Sequence, residues 1–147
     1  MQRILIATDG SDRAQAAVEE GVALARSVGA AVTFVTVRHA AGELFGDPLY
    51  QERLTGQLRH AREAIGRAEA VAEQMEVESE AEILEGDPVE CIVRVARAWN
   101  ADLVVVGSRG HGAVTSALIG SVSHGLVTRS TVPVLVVPAS VRSAART

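Results

Sequence analysis

A chain of 147 residues, 48% apolar but only 3% aromatic, is long enough for one core and must fill it with Val, Ile, Leu and Ala, which suits helices layered on a sheet. Fourteen arginines against eighteen carboxylates leave a formal charge of -4, so composition gives no ground for a nucleic-acid or anionic-membrane partner, and the absence of lysine excludes a Walker-type phosphate loop. Cys91 is the single cysteine, which excludes an internal disulfide; the start MQRILIATDG is too quickly polar for a signal peptide, and no apolar run approaches the roughly 18 residues of a bilayer span, so the expected location is the cytoplasm.

RILIAT at 3–8 is a short apolar run stopped by Asp9-Gly10, the pattern of a strand and a turn. Asp12, three residues before Gln15, has capping-box spacing and predicts a helix carrying Ala17, Val18, Gly21, Leu24, Ala25 and Val28 on one face until Gly29 stops it. AVTFVTV at 31–37 is β-branched and predicts a second strand. Gly42, Gly46 and Pro48 make residues 39–50 a loop. Over residues 49–75, Leu54, Leu58, Ala61, Ile65, Ala68, Ala72 and Met75 recur every three or four positions, as in an amphipathic helix.

VESEAEI at 77–83 alternates, with Val77, Ala81 and Ile83 on one face and Glu78, Glu80 and Glu82 on the other. Three carboxylates on one face do not fit the centre of a sheet covered on both sides, which predicts an edge strand. Asp87-Pro88-Val89-Glu90 supplies an N-cap, a first-turn proline and an acidic third position for a helix whose buried stripe is Ile92, Val95, Ala96 and Trp99. DLVVVG at 102–107 reads as a strand buried on both faces. A glycine-rich stretch, a short helix from about Ser121 and an apolar strand at 132–137 complete the pattern.

Strands separated by helices run parallel and wind by right-handed crossovers, so the fold class is α/β, a three-layer open sandwich in one domain over 1–140 with a loose tail at 141–147. The last strand is wholly apolar and terminal. A bare apolar edge calls for a cover, which predicts a homodimer through residues 132–138 that the acidic strand cannot imitate.

Ligands of open parallel sheets bind beyond the carboxyl ends of the strands. Two such ends are Ala7-Thr8-Asp9-Gly10 and Gly107-Ser108-Arg109-Gly110. The second lies in an acid-free third of the chain, residues 103–147, which holds Arg109, Arg129, Arg142 and Arg146. Gly107 and Gly110 allow backbone N–H groups close approach, and Gly120-Ser121 opens a helix whose free N–H groups favour an anion by about 0.3 to 1 kcal/mol. Ser121 and Ser123 add hydroxyls, Arg109 a mobile cation, and Asp9 an acceptor suited to ribose hydroxyls. Each has a plainer alternative: a flexible loop for the glycines, a turn cap for Asp9, an N-cap for Ser121. His111 and His124 fit no metal spacing, Cys91 reads as a small buried hydrophobe, and His39 and His60 read as solvated.

Gly107-x-x-Gly110, nine residues, then Gly120-Ser121 resembles the nucleotide signature of the ATP-binding universal stress proteins. ILIATDGSDRA, GDPVECIVRVARAWNADLVVVGSRGHG and STVPVLVVP look like that family's consensus. The resemblance implies a Rossmann-like, five-stranded parallel sheet in the order 3-2-1-4-5, akin to the adenine nucleotide alpha hydrolases, and dimerisation through the fifth strand. It implies ATP as ligand, with Ala7, Thr8 and Asp9 at adenine and ribose, Val37 against the base, and Val106 and Gly107 beside the nucleoside. Arg109, Gly110, Gly120, Ser121, Val122 and Ser123 would hold the phosphates, and any Mg²⁺ would be carried through those phosphates. The implied role is a stress-response or signalling module read by an unknown protein partner, without a catalytic residue. Slow ATP hydrolysis, and a member that dimerises without nucleotide, stay open as alternatives.

Overall fold

The computed structural model describes residues 1–39, 49–108 and 120–139. The expected loop around Gly42, Gly46 and Pro48, the site positions Arg109 and Gly110, and the expected tail lie outside the described residues. Strands and helices alternate as β1 (Arg3–Ala7), α1 (Asp12–Val28), β2 (Ala31–Arg38), α2 (Tyr50–Gln74), β3 (Ser79–Glu85), α3 (Pro88–Ala98), β4 (Leu103–Gly107), α4 (Ser121–Arg129) and β5 (Val134–Val137). All pairings are parallel, and the sheet order is β3-β2-β1-β4-β5. Class and order are those expected.

Alternate side chains of the central strands point to opposite faces, which divides the core into two layers. Ile4, Ile6, Val32, Phe34 and Val105 pack beneath Val18 and Val22 of α1 and Ile65, Ala68 and Ala72 of α2. Leu5, Ala7, Val35, Val104 and Val106 pack beneath Ile92, Val95 and Ala96 of α3 and Leu126 of α4. Cys91 is buried, as the sequence suggested, whereas Trp99, expected in the buried stripe, follows α3 as its C-cap and lies half-buried on this second layer.

Helix ends follow local chemistry. Asp87 caps α3 by accepting from the Glu90 N–H at 3.0 Å, with Pro88 in the first turn. Gly29 closes α1 in the left-handed region at φ 71°, where glycine has no Cβ to clash. The cap at the start of α1 differs from expectation: Ser11, not Asp12, accepts from the Ala14 N–H at 3.1 Å. Ser11 has the extended backbone a cap requires, and Asp12 already belongs to the first turn, where its charge suits the helix dipole.

β3 begins two residues later than its alternation suggested, because Glu76 turns the chain left-handed at φ 57° after α2, and it runs on to Glu85. It is an edge strand, as expected. Ala81 and Ile83 face the first layer, Leu84 faces the second, Glu80 and Glu85 are exposed, and Arg38 pairs with Glu85 across the strands at 2.8 Å. β5 is shorter than the predicted 132–137, and at this second edge Leu135 is 38% exposed. At the amino end of the sheet Asp102 ties β4 to β1, accepting from the Gln2 and Arg3 N–H groups at 2.7 and 2.9 Å. Those two donors hold its carboxyl below the ordinary aspartate value.

Candidate functional site

β1 hands the chain to α1 on one face of the sheet and its neighbour β4 hands it to α4 on the other, which makes the gap between them the topological switch point. The ladder records the divergence. β1 stays paired with β2 to Ala7↔Val35 and β4 with β5 to Gly107↔Val137, whereas β1–β4 pairing stops at Ile6↔Val105. Thr8 N–H to Val35 O at 2.9 Å and Ser108 N–H to Val137 O at 3.0 Å carry the outer pairings further still. Beyond Ile6 and Val105 the central strands part. Ala7, Val106 and Val37 all project to the α3/α4 side of this crevice, the first two buried and Val37 half-buried, giving it one apolar flank.

On the β1 side the turn is held from within. The Thr8 hydroxyl accepts from the Gly10 N–H at 3.1 Å, and Asp9 Oδ1 accepts from the Ser11 N–H at 2.9 Å. The cap role considered for Asp9 is therefore present. Gly10 sits at φ 80°, where a left-handed backbone favours glycine.

The turn is also held from outside, by α2. His60 Nε2 lies 3.2 Å from Asp9 O, and an Arg67 guanidinium N–H donates to Gly10 O. Neither residue was assigned to the site from sequence, where His60 read as solvated; it is exposed, yet its ring nitrogen meets the turn. The overlooked signal was spacing. Positions 60, 64 and 67 stand at i, i+4 and i+7 on one stripe of α2, and Ala64, at its centre, is the residue whose Cβ approaches Gly10.

On the β4 side the two ends of the glycine-rich stretch meet. Gly120 N–H donates to Ser108 O, and the Ser123 hydroxyl, 1% exposed, lies 3.0 Å from both Ser108 O and Gly120 O. The Ser123 hydroxyl is thus occupied with backbone carbonyls and does not reach outward as the sequence reading supposed. Gly120 takes the extended N-cap conformation without a side chain to cap with. The first helical bond is His124 N–H to Gly120 O, so the N–H groups of Ser121, Val122 and Ser123 have no acceptor within the helix. Ser121 is exposed and Val122 half-buried. With no acid in its first turn and Arg129 in its last, α4 presents an unopposed positive dipole end worth about half an elementary charge.

Ten of the twelve residues singled out from sequence fall within the described chain: Ala7, Thr8, Asp9, Val37, Val106, Gly107, Gly120, Ser121, Val122 and Ser123, all at the carboxyl end of the sheet or the start of α4. Arg109 and Gly110 lie outside it. Among the described residues no three His, Cys, Asp or Glu side chains gather to hold a metal ion, and no helix is long and apolar enough to cross a membrane.

Fold and crevice together define a doubly wound α/β domain with an anion-favouring helix end at its switch point. The profile of the universal stress protein family matches residues 1–138, and the chain belongs to that family. A Thermus aquaticus relative, the universal stress protein in QAH/OAS sulfhydrylase 3'region, is 38% identical over 134 residues, covering 91% of this chain and 96% of its own. Among solved structures, universal stress protein UspA from Lactobacillus plantarum superposes with a TM-score of 0.82 at 30% identity, over 92% of this chain and 97% of that one. A universal stress protein in complex with cAMP superposes with a TM-score of 0.66 at 30% identity, over 95% and 98% of the two chains.

Proposed function

We propose that this chain binds an adenine nucleotide, ATP foremost, in the crevice between β1 and β4, and acts in the cytoplasm as a stress-response or signalling module. The observation that carries the reading is the uncapped start of α4 fastened by Gly120 and Ser123 to Ser108 at the mouth of the crevice. A helix end of this kind attracts phosphate. That a relative is in complex with cAMP supports an adenine nucleotide as the guest.

In this reading the base lies on the apolar flank of Ala7, Val37 and Val106, and Asp9, with the Thr8 backbone beside it, accepts from the ribose hydroxyls. The phosphates meet the backbone of Gly107 and Gly110, the N–H groups of Ser121, Val122 and Ser123 beside Gly120, the Ser121 hydroxyl and Arg109. Mg²⁺ would be carried by the phosphates, since hard cations prefer oxygen ligands. Two copies associate through the β5 edge around Leu135, and a protein partner reads the nucleotide-loaded form.

Calorimetric titration with ATP tests the site. Saturable binding is expected, with loss of at least tenfold in affinity for Gly120→Asp and Gly110→Asp, because a carboxylate there opposes the phosphates. Unchanged affinity in both variants would sink the assignment, and turnover of several ATP per second would replace a binding module by an enzyme.

A further inference from the structure

The geometry points to Arg67, seconded by His60, as a positioning residue that sets the ribose-facing carboxylate of Asp9 from the far side of the turn; the inference rests on the nucleotide reading above. A trans peptide points its C=O and the following N–H in opposite directions, and the described backbone contains no cis bond. The two peptide planes of the β1 turn are therefore each held at both ends. In the plane joining Asp9 and Gly10, the carbonyl meets His60 Nε2 at 3.2 Å and the N–H meets the Thr8 hydroxyl at 3.1 Å. Because a carbonyl can only accept, this contact requires the proton on Nε2.

In the plane joining Gly10 and Ser11, the carbonyl receives the Arg67 guanidinium and the N–H donates to Asp9 Oδ1 at 2.9 Å. Rotating that second plane would withdraw the donor that orients Asp9 and turn a carbonyl dipole toward the carboxylate it now supports. That rotation runs through ψ of Gly10 and φ of Ser11, and on the Gly10 side no Cβ stands in its way. Arg67 is the charged partner that selects one orientation, and a charge-assisted bond is stronger than a neutral one. Arg67 thus acts on the ligand through Asp9 and does not touch it.

The consequence is selectivity for the sugar. Titrations of the parent protein, Arg67→Met and Arg67→Lys with ATP and with 2′,3′-dideoxy-ATP separate the possibilities. The parent is expected to prefer ATP by about tenfold, the equivalent of one good hydrogen bond. In Arg67→Met the preference should shrink toward unity, with dideoxy-ATP affinity unchanged, and Arg67→Lys should restore part of it. Amide exchange of Gly10 and Ser11 in the ligand-free proteins should quicken in Arg67→Met. A preference retained in Arg67→Met with unaltered exchange overturns the positioning role while leaving the nucleotide site intact. Failure of the parent to bind ATP overturns the nucleotide reading and this inference together, and equal parent affinities for the two nucleotides overturn the ribose contact on which it depends.

Discussion

Two glycines in the same backbone region offer a controlled test of how tightly α2 is seated. Gly10 and Gly29 have φ of 80° and 71°, but their surroundings differ. Nothing stands within 4 Å of the position a Cβ on Gly29 would take, whereas a Cβ on Gly10 would fall 2.8 Å from Arg67 Nη2 and 2.9 Å from Ala64 Cβ. An L-residue in the left-handed region costs about 1 to 2 kcal/mol, offset by about 0.4 to 1 kcal/mol from a stiffer unfolded chain. Gly29→Ala should therefore destabilise by about 1 kcal/mol. Gly10→Ala carries the same terms and adds overpacking of about 1 to 3 kcal/mol and loss of the Arg67 bond, about 1 kcal/mol. The gap between the two variants should be about 2 to 4 kcal/mol. Guanidinium unfolding without nucleotide, read as midpoint shifts at constant slope, measures it. Combining Gly10→Ala with Ala64→Gly should recover about 1 kcal/mol or more as a coupling energy. A gap below about 0.5 kcal/mol, within the scatter of additive sites, would refute the reasoning, since α2 would then yield to the methyl group.

Other outcomes follow from the same structure. Ser123→Ala, which removes a buried hydroxyl from Ser108 O and Gly120 O, should lower stability by about 1 kcal/mol, while Ser121→Ala at the exposed first turn should change it by less than about 0.5 kcal/mol; thermal unfolding of both variants separates the roles. Leu135→Lys should shift the protein to monomers in light scattering, and an unchanged mass would remove the β5 edge as the contact. Asp102, whose folded-state value is depressed by the Gln2 and Arg3 N–H groups, supports folding most fully above the unfolded aspartate value of about 4 and loses that support as pH falls through its folded value. The stability gap between the parent protein and Asp102→Asn should accordingly narrow on going from pH 7 to about pH 3, and a constant gap would contradict the role.

The architecture was legible because β1, β2 and β4 announce themselves as apolar runs between glycines and caps, and because the glutamates of β3 mark it as an edge. Asp87-Pro88-Val89-Glu90 specified the start of α3 to the residue, since side chain, proline and dipole agree there. Ser11 and Asp12 offered equivalent cap chemistry side by side, and only backbone conformation chose between them. The true start of β3 depended on the left-handed turn at Glu76, which no residue type signalled. Within the site, the glycine and serine positions could be read from their places at strand ends and a helix start. His60 and Arg67 could not, because their partners lie 51 and 57 residues away in sequence and are met only once α2 is laid on the sheet. Ser123 was misread in the complementary way: a hydroxyl that looks available in a linear pattern is buried against two carbonyls.

The two margins of the sheet are chemically unlike, acidic at β3 and apolar at β5. Joining β5 of one copy to β3 of another would force Glu80 and Glu82 against Val134 and Leu135, stripping water from carboxylates with nothing to neutralise them. Head-to-tail propagation, the geometry that turns a pleated edge into a fibre, thereby carries a desolvation cost at every joint. Leu135, the exposed residue of β5, is in this way denied the far margin of another copy as its cover.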